Sequence, residues 1–217
     1  MRFDILTLFP SFFETPLEQS ILKRAKEKGV TEYYIHDIRA FADEPQKITD
    51  DRPFGGGPGM VLKVEPIDRA LKHIQAKKNT PNEKIILTSA KGTQYTQETA
   101  KKWSVLERVV VICGHYEGVD ERVAEHLIDE EVRIGEYVLT GGEPAALVFL
   151  DSLVRLQAGV LGNSGSIENE SHDMPGKLSY PQYTRPRDYN GWSVPDILVT
   201  GDHQKITEWR QAQERQD

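Results

Sequence analysis

Short apolar segments alternate with amphipathic ones along most of the chain. The apolar segments predict β-strands at residues 2–8, 32–38, 84–89, 108–113 and 131–139. Apolar residues that recur every three or four positions predict helices near residues 17–28, 65–74, 96–103, 119–127 and 142–156. Strands that alternate with helices favour right-handed crossover connections, so the pattern predicts an α/β fold with a mostly parallel sheet.

The candidate binding site is predicted where three of these strands end. Ligands of parallel sheets bind at the carboxyl ends of the strands. The segments that follow the strands, residues 89–92, 114–118 and 139–142, all contain glycine, which lets a backbone approach a ligand closely. The backbone N–H and C=O groups near Gly141 can read the edge of an adenine ring. Helix capping would account for Gly141 and Gly142, and a tight turn would account for the glycines of residues 114–118, so the sequence alone leaves these interpretations open.

Two segments interrupt this periodicity and divide the chain. Residues 39–60 have no periodic pattern, and loops of that length are usually functional or disordered. Residues 162–177 are polar and rich in Gly, Ser and Asn, which predicts a flexible linker. We therefore expect a first domain at residues 1–161 and a small helical domain at residues 178–217, with its last helix near residues 203–215.

The composition excludes several classes of protein. With 38% hydrophobic and 28% charged residues, the chain is neither disordered nor collagen-like. It has no apolar run of the ~20 residues that span a bilayer and no recognisable secretory signal, so we expect no membrane contact. The single cysteine, Cys113, rules out an intramolecular disulfide and favours a reducing, cytoplasmic location. The net charge of −7 argues against non-specific nucleic-acid binding without excluding a local basic surface.

Several single residues suggest chemistry but leave alternatives open. The glycine cluster at residues 55–59 either approaches an anionic ligand or forms a flexible turn, and it lacks the sequence of a phosphate-binding P-loop. Arg155 ends an apolar helix, where it either pairs with Asp151 or binds an anion. His115 has no second ligand at a suitable spacing, so no metal site is predicted. Glu170 lies in the linker, where acidic residues are usually solvated.

Six segments together resemble one family, the bacterial tRNA (guanine-N1)-methyltransferases of the knotted SPOUT class. They are FDILTLFP, DDRPFGGGPGM, CGHYEGVDERV, IGEYVLTGGE, GVLGN and YPQYTRP, in this order along the chain to about Pro186. The resemblance implies a deep trefoil knot in the carboxyl half of the sheet domain and S-adenosylmethionine as the methyl donor. It also implies a homodimer with active sites shared between subunits, a requirement for Mg²⁺, and a tRNA substrate. The methylated atom would be N1 of the guanosine immediately 3′ of the anticodon, at position 37.

The family's functional residues carry over onto particular positions of this chain. The resemblance assigns cofactor contacts to Leu87, Thr88, Ser89, Gly114, Tyr116, Glu117, Ile134, Gly135, Tyr137, Leu139, Gly141 and Gly142. It assigns catalysis to Arg155 and Glu170. Many members carry aspartate at the latter position, so this chain keeps the carboxylate on an arm one methylene longer. Substrate contacts are expected from Asp51, Gly57, Pro58 and Gly59.

Two other functions are compatible with the same sequence features. One is an RNA methyltransferase of the same class that acts on a ribose 2′-hydroxyl. The other is an RNA-binding module that keeps the fold without the chemistry. The basic helix that contains Lys23, Arg24, Lys26 and Lys28 would serve either function, whereas the cofactor turns together with Arg155 favour an enzyme.

Overall fold

A computed structural model describes residues 1–162 and 170–216, and it divides the chain into two compact units, Met1–Gly162 and Asn163–Asp217. Residues 163–169, which belong to the predicted linker, lie outside the described residues. Over the residues described, no helix is both long enough and apolar enough to cross a membrane.

The first unit is an α/β structure. Its strands are β1 (Arg2–Thr7), β2 (Glu32–Asp37), β3 (Asp50–Asp51), β4 (Val61–Leu62), β5 (Glu83–Gln94), β6 (Arg108–Ile112) and β7 (Glu130–Arg133). Its helices are α1 (Glu14–Leu17), α2 (Ser20–Glu27), α3 (Val64–His73), α4 (Gln97–Trp103) and α5 (Glu143–Val154), with 3₁₀ turns at Pro10–Phe13 and Ile38–Phe41 and a π-helical turn at Val123–Leu127. Five strands form one sheet in the order β2-β1-β6-β5-β7. All neighbours in this sheet are parallel, which confirms the predicted mostly parallel sheet.

The sheet has a hydrophobic core on each face because its central strands are apolar on both sides. Phe3 and Ile5 of β1 pack with Phe149 of α5 and with the helices α2 and α4. Leu6, on the opposite face of β1, packs with Ile67 of α3. Both faces are therefore covered by helices, as expected for a parallel sheet built from crossover connections.

Strand β5 is longer than predicted, and its extension changes the expected turn at residues 89–92. The strand continues to Gln94, and its pairing with β7 shifts register between Thr88 and Thr93. A Cβ atom on Gly92 would lie 2.4 Å from the backbone carbonyl carbon of Glu131, so only glycine fits there. The predicted turn is thus an irregular segment inside a strand.

Three other predicted elements are shorter or divided. The expected helix at residues 119–127 begins two residues later, at residue 121, and is π-helical from Val123, because Val119 bridges to Leu62 and the Asp120 N–H donates to the Leu62 carbonyl at 2.9 Å. These bonds hold the chain extended where a helix would begin. The helix expected at residues 17–28 is divided by Ser20, whose φ of 45° is left-handed. The last strand of the sheet ends at Arg133 rather than at residue 139.

The second unit is small and only partly helical, which corrects the prediction of a helical domain. Its described elements are β8 (Lys177–Leu178), β9 (Asp188–Tyr189), β10 (Trp192–Ser193), a 3₁₀ turn at Asp196–Val199, α6 (His203–Gln213) and β11 (Arg215–Gln216). β9 pairs antiparallel with β10, and β8 pairs antiparallel with β11. The predicted last helix is confirmed, and it begins where the Asp202 side chain accepts a hydrogen bond from the Lys205 N–H.

A buried carboxylate on β1 joins side chains from three neighbouring strands. Asp4 is fully buried and accepts hydrogen bonds from Arg2 at 2.7 Å, from His36 at 2.7 Å and from Arg108 at 2.8 Å. Burial alone would raise the pKa of Asp4, but these hydrogen bonds hold it well below its usual range. The network therefore ties β1 to β2 and β6, and its two arginines are the first residues of β1 and β6, away from the carboxyl ends where the binding site is predicted.

We expect Asp4→Asn to lower the free energy of unfolding by about 3 kcal/mol at pH 7, because it removes the buried charge that accepts hydrogen bonds from Arg2, His36 and Arg108. A carboxylate with a lowered pKa stabilises the fold above its unfolded pKa of about 4 and loses that contribution as the pH falls toward its folded pKa. Urea unfolding between pH 7 and pH 3 should therefore show a steeper loss of stability in the wild type than in Asp4→Asn. The matched control is Asp43→Asn, which removes an exposed ion pair with Arg69 and should change little. Equal stability of Asp4→Asn and the wild type at pH 7 would contradict the role given to Asp4.

Candidate functional site

A cavity of about 440 Å³ opens at the carboxyl edge of the sheet. It is formed by the irregular part of β5, the turn that follows β6 and the segment between β7 and α5. All residues to which the resemblance assigns cofactor contacts line it, namely Leu87, Thr88, Ser89, Gly114, Tyr116, Glu117, Ile134, Gly135, Tyr137, Leu139, Gly141 and Gly142. The fold therefore brings three separate sequence segments into one concave site.

The floor of the cavity is formed by backbone groups packed closely against one another and against the Thr88 hydroxyl. The Gly142 N–H donates to the Gly114 carbonyl at 2.7 Å, and the Gly114 N–H donates to the Thr88 hydroxyl at 2.9 Å. A Cβ atom on Gly142 would lie 1.8 Å from the Thr88 Oγ1 atom and 2.9 Å from the Cys113 Cα atom. No side chain fits at this position, so the glycine is required by the fold and not only by a ligand.

Glu143 is a buried acid beside this floor, and sequence reasoning gave it no role. Only 4% of the residue is exposed, and its Oε1 atom accepts a hydrogen bond from the Thr7 hydroxyl at 2.7 Å. The Thr7 hydroxyl in turn accepts from the Phe9 N–H at 2.9 Å. Glu143 is the first residue of α5, where the helix dipole favours a negative charge. The signal in the sequence is an acid directly after a glycine pair at the start of an apolar helix.

A charged group on the cavity rim was also missed. Lys91 lies on the irregular part of β5, and its ammonium group donates to Glu121 and lies 3.8 Å from Glu131. The hydrogen bond to Glu121 raises the pKa of Lys91. All three side chains line the cavity, so the rim carries fixed charges of both signs that can contact a charged ligand.

The glycine loop is attached to the cavity wall. Its ends pair as β3 and β4, with Asp51 opposite Val61. The Glu117 N–H donates to the Met60 carbonyl at 3.0 Å, and a Cβ atom on Gly59 would lie 2.3 Å from the Glu117 side chain. The loop that contains the expected substrate residues Asp51, Gly57, Pro58 and Gly59 therefore begins and ends close to the turn that lines the cofactor cavity.

The two residues expected to be catalytic lie in different units of the chain. Arg155 is the half-buried residue that ends α5 in the first unit, and its N–H donates to the Asp151 carbonyl at 3.1 Å. Glu170 is half-buried and belongs to the second unit. Elsewhere, no group of three His, Cys, Asp or Glu side chains that could hold a metal ion occurs among residues 1–162 and 170–216.

Comparison with known proteins gives a consistent result over the whole chain. The family model described as tRNA (Guanine-1)-methyltransferase TrmD matches residues 1–217. Three similar relatives are all named tRNA (guanine-N(1)-)-methyltransferase. The relative from Geobacillus kaustophilus is 51% identical over 98% of this chain and 86% of its own length, and that from Geotalea uraniireducens is 49% identical over 98% and 85%. The relative from Clostridioides difficile is 47% identical over 98% and 92%.

The packing at Gly142 leads to a prediction about ligand binding. Gly142→Ala should weaken binding of S-adenosylhomocysteine, the product form of the expected donor, by more than about tenfold, or about 1.4 kcal/mol. The reason is that the added methyl group must displace either Thr88 or the backbone at Gly114, and both line the cavity. Isothermal titration calorimetry measures the change. Gly162→Ala is the matched control, because a Cβ atom there meets nothing within 4 Å. Unchanged affinity in Gly142→Ala would show that the ligand binds elsewhere.

Proposed function

The chain belongs to the tRNA (guanine-N1)-methyltransferase family, and from this premise we propose which of its residues bind the donor, bind the tRNA and catalyse methyl transfer. The enzyme methylates N1 of a guanosine in tRNA. We infer that the donor is S-adenosylmethionine and that the target is the guanosine immediately 3′ of the anticodon, at position 37. The observation that carries this proposal is the cavity in which every residue expected to contact the cofactor lies.

The cavity is suited to a flat ligand with a polar edge. Gly141 and Gly142 add no side chains of their own to its floor, so a ligand can approach the backbone closely there. Leu87, Ile134 and Leu139 supply apolar surface on the walls. When bound, S-adenosylmethionine supplies an activated methyl group on its sulfonium. The protein's part is to hold the donor and the acceptor in line, which is a large share of the catalysis in such transfers.

Glu170 and Arg155 supply the acid–base chemistry in this proposal. The N1 atom of guanine carries a proton near neutral pH and is a poor nucleophile until that proton is removed. We assign its removal to the Glu170 carboxylate, acting as a general base. As the proton leaves, negative charge moves toward O6 of the guanine. The Arg155 guanidinium can donate a hydrogen bond to that oxygen and stabilise the charge.

Access to N1 requires the target base to leave its stack in the RNA, since a stacked base is shielded from the donor. The loop that contains Asp51 and Gly57–Gly59 lies next to the cavity wall, and its backbone can approach RNA closely because it has few side chains. We therefore assign substrate binding to this loop and to the second unit.

We propose that the enzyme is a homodimer whose sites are shared between subunits. The support is an apolar surface that the first unit leaves exposed. Phe9 and Phe12, in and beside the 3₁₀ turn that packs on α5, are each more than 40% exposed, and so is Val148 of α5 itself. Exposed apolar groups on neighbouring elements are typical of an interface. In this arrangement Arg155 of one subunit acts with Glu170 of the other.

The path of the chain supports the proposed knot. The sheet places β7 beyond β5, at the far edge from β1. The next residues nevertheless return to the end of β6, where Gly142 bonds to Gly114, and α5 then packs on β1 and α2. This return of the chain toward β6 and β1 supports the trefoil knot that the family resemblance implies.

Two remaining expectations concern conditions for activity. The family resemblance implies Mg²⁺, but the described residues contain no ligand group to which the ion can be assigned, so no step of the mechanism is derived through it. Because tRNA is the substrate, we propose that the enzyme acts in the cytoplasm.

The assignment of Glu170 predicts a loss of chemistry without a loss of binding. With S-adenosylmethionine and tRNA, the wild type should form 1-methylguanosine at position 37, identified by mass spectrometry of the digested RNA. Glu170→Gln should lower the single-turnover rate by about 10²–10⁴, the usual effect of losing a general base. Binding of the cofactor and of tRNA should stay within about tenfold, since glutamine keeps the size of the side chain.

The conservative control is Glu170→Asp, which should retain substantial activity because it restores the residue common in the family. Glu168→Gln, two positions earlier in the sequence, should change the rate little. If Glu170→Gln methylates tRNA at the wild-type rate, another residue is the general base. Methylation of a ribose hydroxyl by the wild type would contradict the assigned reaction itself.

Shared sites predict that two inactive chains restore each other. A heterodimer of Arg155→Ala and Glu170→Ala chains contains one site with both mutations and one site with neither, so it should recover up to about half of the wild-type activity. Differently tagged chains, co-expressed and purified through both tags, allow the heterodimer to be assayed alone. Each mutant homodimer, purified in the same way, is the control. Heterodimers as inactive as the homodimers would mean that each site draws both residues from one chain.

A further inference from the structure

Phe54 is an aromatic residue with its ring entirely in solvent. Its relative exposure is 102%, greater than that of any other large hydrophobic residue described. It lies in the loop between β3 and β4, four residues before Pro58. The substrate contacts proposed for this loop involve its glycines, Pro58 and Asp51, and none of them involves the Phe54 ring.

The outward position of the ring follows from a turn. The Gly56 N–H donates to the Pro53 carbonyl at 3.2 Å, so Phe54 and Gly55 are the two central residues of a four-residue turn. Gly55 has a φ of 85°, the value that a type II turn requires at its third residue. Cβ atoms on Gly55, Gly56 and Gly57 would meet nothing within 4 Å. The three residues after the ring therefore leave its faces open on that side.

The base of this loop is fixed although its tip is open. Asp50 and Asp51 pair with Leu62 and Val61 at the two ends of the loop. The Arg52 N–H donates to the Asp51 carboxylate at 2.7 Å. Beyond the glycines, Gly59 packs against Glu117, which lines the cavity. The ring is therefore carried by a short loop anchored beside the cavity, and Arg52, two residues away, adds an exposed positive charge.

We propose that Phe54 stacks on an unpaired base of the tRNA next to the target guanosine. This inference rests on the proposed function. When the target leaves the stack, its neighbour loses a stacking partner and exposes a flat apolar face. An aromatic ring fits such a face whatever the base, because every base has a π-surface. The Arg52 guanidinium can contact the phosphate of the same nucleotide.

The test compares aromatic and aliphatic replacements. Phe54→Ala and Phe54→Leu should raise the KM for tRNA about tenfold to a hundredfold, the range expected for one lost base–aromatic stack. Phe54→Tyr and Phe54→Trp should stay within about threefold of the wild type. The affinity for S-adenosylhomocysteine should be unchanged in all four variants. Val105→Ala is the control, because Val105 is 82% exposed in the same unit and is not assigned a role.

A fluorescent base provides a readout that does not depend on methyl transfer. With 2-aminopurine next to the target position, stacking on the ring should quench fluorescence when wild-type protein binds, and Phe54→Leu should abolish the quenching. If Phe54→Leu equals Phe54→Trp in KM and in quenching, the ring does not stack and the inference is wrong. A change of oligomeric state in Phe54→Ala with an unchanged KM would assign the ring to a protein contact instead. Failure of the wild type to methylate tRNA would contradict the proposed function, while the quenching arm would still report on Phe54.

Discussion

The carboxyl edge of the sheet is organised by one close contact between backbones, where Gly142 meets Gly114 and Thr88. The contact is possible only because Gly142 has no side chain, and it fixes the start of α5 against the ends of β5 and β6. The cavity exists because the chain is held here, with the 134–142 segment on one side and the 114–118 turn on the other. A substitution at this point would alter helix packing and ligand binding together, so the two cannot be separated by mutating Gly142 alone.

Strand β1 carries buried polar residues toward both the carboxyl and the amino edge of the sheet. Two of its residues, Asp4 and Thr7, are polar and fully buried. Asp4 collects positive charges at the amino ends of the strands, and Thr7 binds the buried carboxylate of Glu143 beneath the cavity. Buried polar groups are costly unless they are hydrogen-bonded. Their partners therefore specify which strands flank β1 and where α5 begins.

The sequence was informative where periodicity or a distinctive motif was strong, and it failed where long-range contacts decided the structure. The apolar strands and the Gly142 turn could be predicted, since burial and glycine spacing are local signals. The length of β5 could not, because residues 90–94 show no apolar alternation and the end of the strand is held by the pairing of Thr93 and Gln94 with β7. Nor could the missing helical turn at Val119, which depends on bonds to Leu62, far away in sequence.

In the candidate site, too, local motifs were predictable and long-range contacts were not. The resemblance supplied the residues that line the cavity, but the rim pair of Lys91 and Glu121 depends on where two separate segments meet in space. Glu143 was visible in the sequence as an acid after two glycines. Its burial became evident only with Thr7, a residue more than a hundred positions away, beside it. In the second unit, Asn190-Gly191 carries the usual signal of a hairpin turn, but the two strands that it joins are only two residues each, too short for an alternating pattern to predict them.

The burial of Cys113 has a consequence for studying motions of this protein. The thiol is fully buried at the end of β6, directly before Gly114, and burial together with the charge of Glu143 raises its pKa well above the ordinary value. As the only cysteine of the chain, it reacts with a thiol reagent only when this part of the core opens. The rate at which a thiol reagent modifies the native enzyme therefore measures how often the cavity floor opens. No cysteine needs to be engineered for this measurement.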